Sequence, residues 1–268
     1  MSVSTVEHTV GPLLRDWRRR RRLTQMELAL DAGVSTRHLS FVETGRARPS
    51  SDMLLHLAEQ LEVPLREQNE LLVAAGYAPR YADRGLQDPA LAEIRSAVSR
   101  VLEAHEPFPA IAVDRHWDLI ASNAALAPLL EGVTAELLVP PVNVIRLALH
   151  PDGVAPRIVN LGEYRAHLLE RTERAWRLTG DERLRELHEE MLGYPGPADP
   201  DPASPGAPHP AVTTQLRVRP LPGADGPDLA FFSTITTFGT AVDVTVSELA
   251  VEAFFPANPE TARALRGA

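Results

Sequence analysis

Residues able to do chemistry gather in two places, and the first is the stretch LTQMELALDAGVSTRHLSFVETGRARPS, Leu23 to Ser50. Thr24 and Glu27 form a capping box: the hydroxyl accepts from the third helical N–H and the carboxylate reaches back to the capping amide. A helix therefore starts at Gln25. Gly33 closes it, because glycine takes the left-handed conformation of a helix end at little cost, and Ser35 caps the next helix. Gly45 ends that helix, and the basic loop Arg46-Ala47-Arg48-Pro49-Ser50 follows. This is the layout of a helix-turn-helix reader, whose second helix enters the major groove of DNA. Leu39 and Val42 lie three apart and face the core, leaving Thr36, Arg37, Ser40 and either Phe41 or Thr44 outward. Arg37 can give a guanine edge two hydrogen bonds, and Thr36 and Phe41 can touch a thymine methyl. Gln25 beside the helix-start amides, Arg46 and Arg48 suit phosphate oxygens, and the cap Ser35 joins this DNA-facing set.

The second gathering lies further along the chain. Arg157, Tyr164 and His167 bring a cation, a phenol and an imidazole close in sequence, a set able to orient the polar head of an apolar ligand. Trp117, Asn123, Asn160 and Phe231 complete the candidate pocket, although aromatics at strand spacing also serve as plain core and Asn160 suits a helix cap. Catalytic chemistry finds no comparable pattern. The absence of Cys removes thiolate metal sites and cysteine nucleophiles. His188-Glu189-Glu190 lacks the second His of a zinc-protease helix, and neither G-x-S-x-G, G-x-G-x-x-G nor a phosphate-loop lysine occurs. No enzyme, metal or cofactor is expected.

The elements that must position these residues can be read from periodicity and punctuation. Five helices are expected near 11–22, 25–32, 36–43, 51–61 and 65–75, with Leu54, Leu57, Ala58 and Leu61 marking a buried face of the fourth. Gly76 to Pro89 carries little apolar periodicity, which divides the chain into residues 1–80 and 81–268. Beyond it, Asp88-Pro89 opens a helix to Glu103, and Pro109–Val113 and Trp117–Ala121 read as strands about Asp114-Arg115-His116. Helices follow near 123–131, 143–149, 160–179 and 182–192, then a loop with seven Pro over 194–210. Gln215–Pro220 and Leu229–Thr237 form a hairpin across Gly223–Pro227, and a strand at Ala250–Phe255 and a short helix end the chain. The fold class is an all-α helix-turn-helix domain followed by an α+β domain with a small antiparallel sheet.

Composition agrees with this division. A chain of 268 residues exceeds the roughly 150 typical of one domain. Hydrophobic residues make up 44% and charged ones 24%, as in globular proteins. No apolar run approaches the length of a membrane span, and the start MSVSTVEHTV lacks a signal peptide's basic and apolar regions, so a cytoplasmic protein, nucleoid-associated when on DNA, is expected. All 27 basic residues are Arg, and the net charge is −9. Between Arg15 and Arg48, however, nine Arg outweigh four acids, a basic island where an anionic partner can dock.

Residues 11–76 resemble the Xre/lambda-repressor-like helix-turn-helix domain, and STRHLSFVETGRARPS followed by LLVAAGYAP resembles the MmyB-like transcriptional regulators of actinobacteria. The resemblance continues through APRIVNLGEYRAHLLER, TGDERLRELHEEMLGYP, FFSTITTFGTAVDVTVSELAVEAFFPAN and ETARAL, in that family's order. Tyr164, in place of the family's Trp, and Ser51, in place of Arg, depart from its pattern. The resemblance implies a PAS-like sensor domain for a small hydrophobic, fatty-acid-like ligand, and a salt bridge between Arg18 and Glu43. Together these readings anticipate a transcription regulator that binds a double-stranded operator as a homodimer under ligand control. The competing expectation is a DNA-binding protein whose C-terminal domain is a ligand-free dimerisation or protein-interaction module.

Overall fold

The structure is a computed structural model and describes residues 10–196, 214–223, 225–239 and 241–267. Residues 1–9, most of the proline-rich segment (197–210) and Ala224 of the expected hairpin turn lie outside the described residues. The chain divides into two compact units: Met1–Arg84 with Arg177–Thr179 and Ala241–Ser247, and the remainder.

In the first unit five helices follow the expected punctuation: α1 (Val10–Arg20), α2 (Gln25–Asp31), α3 (Thr36–Glu43), α4 (Ser51–Gln60) and α5 (Leu65–Ala74). Both halves of the Thr24–Glu27 capping box form, and Ser35 and Ser50 cap α3 and α4 by accepting from the N–H groups of His38 and Met53. Gly33 and Gly45 take the positive φ that ends α2 and α3. Leu14, Trp17, Leu28, Leu39, Val42, Leu54, Leu57 and Leu71 meet in one core. Each buried leucine contributes about 1.5–3 kcal/mol, which makes burial the main reason that helices this short persist.

The second unit is built on a five-stranded antiparallel sheet of order β2-β1-β5-β4-β3, comprising β1 (Ala110–Val113), β2 (Leu119–Ser122), β3 (Leu216–Val218), β4 (Leu229–Thr237) and β5 (Ala250–Pro256). The expected hairpin is present as β3 paired with β4, and β5 inserts between β4 and β1. This insertion joins strands distant in sequence, and periodicity alone carries no record of it. α6 (Ala92–Ala104) lays Val98 and Leu102 on Ala110, Ala112 and Val251 of one sheet face. The other face, with Ile111, Phe231 and Phe254, is approached by α7 (Ala127–Leu130), α8 (Val144–Leu149) and α9 (Leu161–Thr179), and α10 (Glu182–Leu192) packs on α8 and α9. α11 (Val244–Ser247) belongs to the first unit, and α12 (Pro259–Arg266) is the last helix of the second.

Candidate functional site

The outer face of α3 is as the periodicity requires. Ser35, Thr36 and Arg37 are exposed and Ser40 and Phe41 half-buried, while Leu39 and Val42 are buried. The Arg37 guanidinium lies over the Phe41 ring at 5.4 Å, one helical turn on, so the two side chains form one amphipathic surface. Arg46 is exposed in the loop after α3. Arg48 is exposed too, but its Nη2 donates to the Ala75 carbonyl at 2.8 Å and its guanidinium covers Tyr77 at 5.2 Å, tying the loop to the end of α5.

Behind this face the expected Arg18–Glu43 pair is formed and buried. Arg18 Nε and Nη2 donate to the two Glu43 oxygens at 2.6 and 2.8 Å, and Arg18 Nη1 donates to the Leu23 carbonyl. Gln25, at the start of α2, donates through Nε2 to Glu43 Oε2 at 2.8 Å, and Arg15 donates to the Glu43 carbonyl. Burial pushes the Glu43 carboxyl up, but the hydrogen bonds from Arg18 and Gln25 and the charges of Arg18 and Arg15 outweigh it and leave the pKa lowered. Three helices are thus fastened at one carboxylate. Gly11 of α1 makes the close approach possible, since a Cβ there would stand 2.6 Å from the Glu43 carbonyl oxygen. Sequence reading passed over Gly11, because nothing in its neighbours marks a helical glycine as a contact point.

Arg21, within the basic run Arg18–Arg22, donates to the Leu61 and Glu62 carbonyls at 2.8 Å. It therefore caps the end of α4, so this side chain does not form a basic stripe with its neighbours.

The second unit holds a partly open apolar cavity of about 80 Å³, bounded by Ile111, Leu129, Ile145, Leu168 and Phe254 among others. Trp117 and Tyr164 line it, joined by Arg171 and Glu252. The other candidates are engaged outside its lining. Arg157 donates to the carbonyls of Leu129, Glu131 and Arg219. Asn160 joins the start of α9 to β3 by donating to Gln215 and accepting from Arg217. Buried Asn123 accepts from Ala110 N–H and donates to the Leu102 and Phe108 carbonyls. Phe231 is fully buried in core against Phe254, and His167 is exposed. These polar groups satisfy backbone that helix and strand pairing leave unmatched.

Arg171 and Glu252 were missed by sequence reading, although signals for them exist. Tyr164, Leu168 and Arg171 stand at i, i+4 and i+7 on one face of α9, and Glu252 alternates with Phe254 on the inward side of β5. In the structure Arg171 Nη1 lies 3.5 Å from Glu252 Oε1, the guanidinium covers the Trp117 ring at 3.8 Å, and Ser233 Oγ donates to Glu252 at 2.7 Å. Trp117 has a left-handed φ of 69°, a conformation that side chains other than glycine adopt only where surroundings enforce it. Asp114 enforces it by accepting from the N–H groups of His116 and Asp118, and His116 and Arg115 bind Asp181 at the start of α10. Burial pushes the Tyr164 phenol far above its usual range, Glu252 adds to this, and Arg171 opposes it, so the hydroxyl keeps its proton. The His167 ring is only partly desolvated, its outer part facing solvent; that partial desolvation lowers its pKa and the Arg171 charge adds to the effect, favouring the neutral imidazole.

A basic helix-turn-helix face and an α+β unit with an apolar pocket fit one class: helix-turn-helix proteins with a ligand-binding domain. Residues 14–68 match the helix-turn-helix family model, and residues 94–268 match the model of the MmyB-like transcription regulator ligand binding domain. The second match covers well over half the chain, so the chain belongs to the MmyB-like transcription regulators. It carries a helix-turn-helix domain and a ligand-binding domain of that family's type. No curated protein matches it. Two solved chains do. One, described as "Structure of an RNA-binding Light-Oxygen-Voltage Receptor", is 12% identical with a TM-score of 0.25, covering 99% of this chain and 62% of that one. The chain thus spans less than two thirds of that protein's length, at a likeness too low to define a shared fold. No helix among the described residues is long and apolar enough to cross a membrane.

Proposed function

We propose that residues 1–80 read an operator as a homodimer, with Arg37, Thr36, Ser40 and Phe41 facing bases and Gln25, Ser35, Arg46 and Arg48 facing the backbone. Residues 81–268 bind a small, largely apolar ligand that changes operator affinity. The observation that carries the reading is the apolar cavity with Trp117, Tyr164, Arg171 and Glu252 in its wall, since a few polar groups in an apolar enclosure are the usual make-up of a ligand site. At about 80 Å³ it is far below the several hundred Å³ of sites that enclose drug-sized molecules, so a long acyl chain enters only if the helices over the sheet separate. Such separation is a second conformation that ligand can favour, and differential affinity for the two states sets the coupling, typically 1–3 kcal/mol.

The test is native mass spectrometry of the purified chain, organic extraction of whatever co-purifies, and titration of that compound into a complex with operator DNA. A stoichiometric small molecule that shifts operator affinity is the expected result. A dimeric protein without any bound compound, whose DNA affinity no extracted metabolite alters, would assign the second domain to dimerisation instead.

A further inference from the structure

We propose that the cavity selects a ligand whose polar end is an uncharged carbonyl, as in a ketone, amide or ester, over the carboxylate of equal length. The inference rests on the cavity being the ligand site and adds the chemical class that the site takes.

Its polar wall is charge-balanced. Among the lining residues Arg171 is the one cation and Glu252 the one carboxylate, 3.5 Å apart, with Ser233 adding a hydrogen bond to Glu252. His167 lies outside the lining and is held toward its neutral form, so it supplies no second cation. A ligand carboxylate would set a second anion beside a single guanidinium that already faces one, and would give up its hydration to do so.

The wall is nevertheless short of acceptors. Arg171 Nη2 is buried without a hydrogen-bond partner, an arrangement that native proteins rarely leave unfilled. The guanidinium is fixed in place by Trp117 beneath it, so this N–H cannot swing out to water without losing the stack. Tyr164, a protonated phenol in the same wall, offers a second donor. A carbonyl oxygen accepts hydrogen bonds through two lone pairs and adds no charge. An alkane would leave the Arg171 donor unsatisfied, a carboxylate would unbalance the site, and a neutral carbonyl does neither.

The test uses the full chain and four probes of similar size: methyl butyl ketone, valeramide, valerate and pentane, with affinities from calorimetry or ligand-detected NMR. The ketone and amide should bind about tenfold or more tighter than valerate and pentane. Glu252→Gln removes the compensating carboxylate, and valerate should then overtake the ketone. Should that variant not fold, Arg171→Met serves instead: the advantage of ketone over pentane should vanish while pentane still binds. Valerate binding as tightly as the ketone, or pentane matching it, in the unsubstituted protein would overturn the proposal. So would binding of no probe, and the extraction experiment then separates the two claims. An extracted stoichiometric acid refutes the carbonyl class and keeps the ligand site, whereas an empty protein removes both.

Discussion

The two units bury an arginine and a glutamate in different ways. In the helix-turn-helix unit, Arg18 and Glu43 meet in a two-pronged contact, and Gln25, Arg15 and the Leu23 carbonyl take up further bonding capacity. In the ligand-binding unit, Arg171 and Glu252 are 3.5 Å apart and one guanidinium nitrogen has no partner. The first pair has completed its bonding within the chain, so it holds helices in a fixed relation. The second retains bonding capacity, as the proposed ligand site requires. A buried ion pair is therefore evidence of structure or of recognition according to whether its hydrogen bonds are filled.

The sharpest way to break this contrast is to remove one member of the completed pair. Arg18→Met should cost about 3–5 kcal/mol by chemical denaturation, because Glu43 is left as an uncompensated buried charge. A loss well below this would mean that Arg15 and Gln25 suffice. The lowered pKa of Glu43 fixes the sign of an accompanying pH effect. Its stabilisation is present above the unfolded carboxyl value of about 4.3 and is lost as pH falls through the lower folded value. Glu43→Gln should flatten that acid limb in a urea-melt series, although it also lowers stability near neutrality.

Next in size are two substitutions on the reading face and behind it. Gly11→Ala drives a methyl to within 2.6 Å of the Glu43 carbonyl oxygen, and overpacking of this kind costs about 1–3 kcal/mol, measurable as a lowered Tm. Arg37→Ala should lose about 1–3 kcal/mol on operator DNA and relax its sequence preference, whereas Arg46→Ala should weaken operator and random DNA alike and flatten the salt dependence. Fluorescence anisotropy on both DNAs at two salt concentrations separates these outcomes, and equal losses for both variants would merge the two roles.

The smallest expected effect tests the ligand-binding unit. Replacing the incomplete pair by apolar residues, Arg171→Met with Glu252→Leu, should leave stability within about 1 kcal/mol of the original or raise it. The same double exchange at Arg18 and Glu43 should still destabilise, because Gln25 and the Leu23 carbonyl lose their partners. If both exchanges cost alike, the distinction between a filled and an open pair fails.

Legibility differed between the units for the same reason that their ion pairs do. α3 runs over Thr36–Glu43 as the sequence predicts, and its outward residues followed from spacing, since caps and helical faces depend on neighbours three or four positions away. In the second unit Trp117 and Tyr164 were legible as cavity residues, while Arg157, Asn160 and Asn123 turned out to bind backbone. A polar side chain near an apolar run can serve either purpose, and only the course of the neighbouring loops decides which.

By itself the sequence determined the helices with their caps, the strand segments, the basic island and the outward face of α3, all of which are set by local hydrogen bonding and by periodicity. The family likeness by itself pairs Arg18 with Glu43. Tertiary structure alone decided that β5 lies between β1 and β4, that Gly11 touches the end of α3, and that Arg171 meets Glu252 over Trp117. Those contacts join residues far apart in the chain. Their energy depends on how whole faces fit together, and no short window of sequence contains both partners.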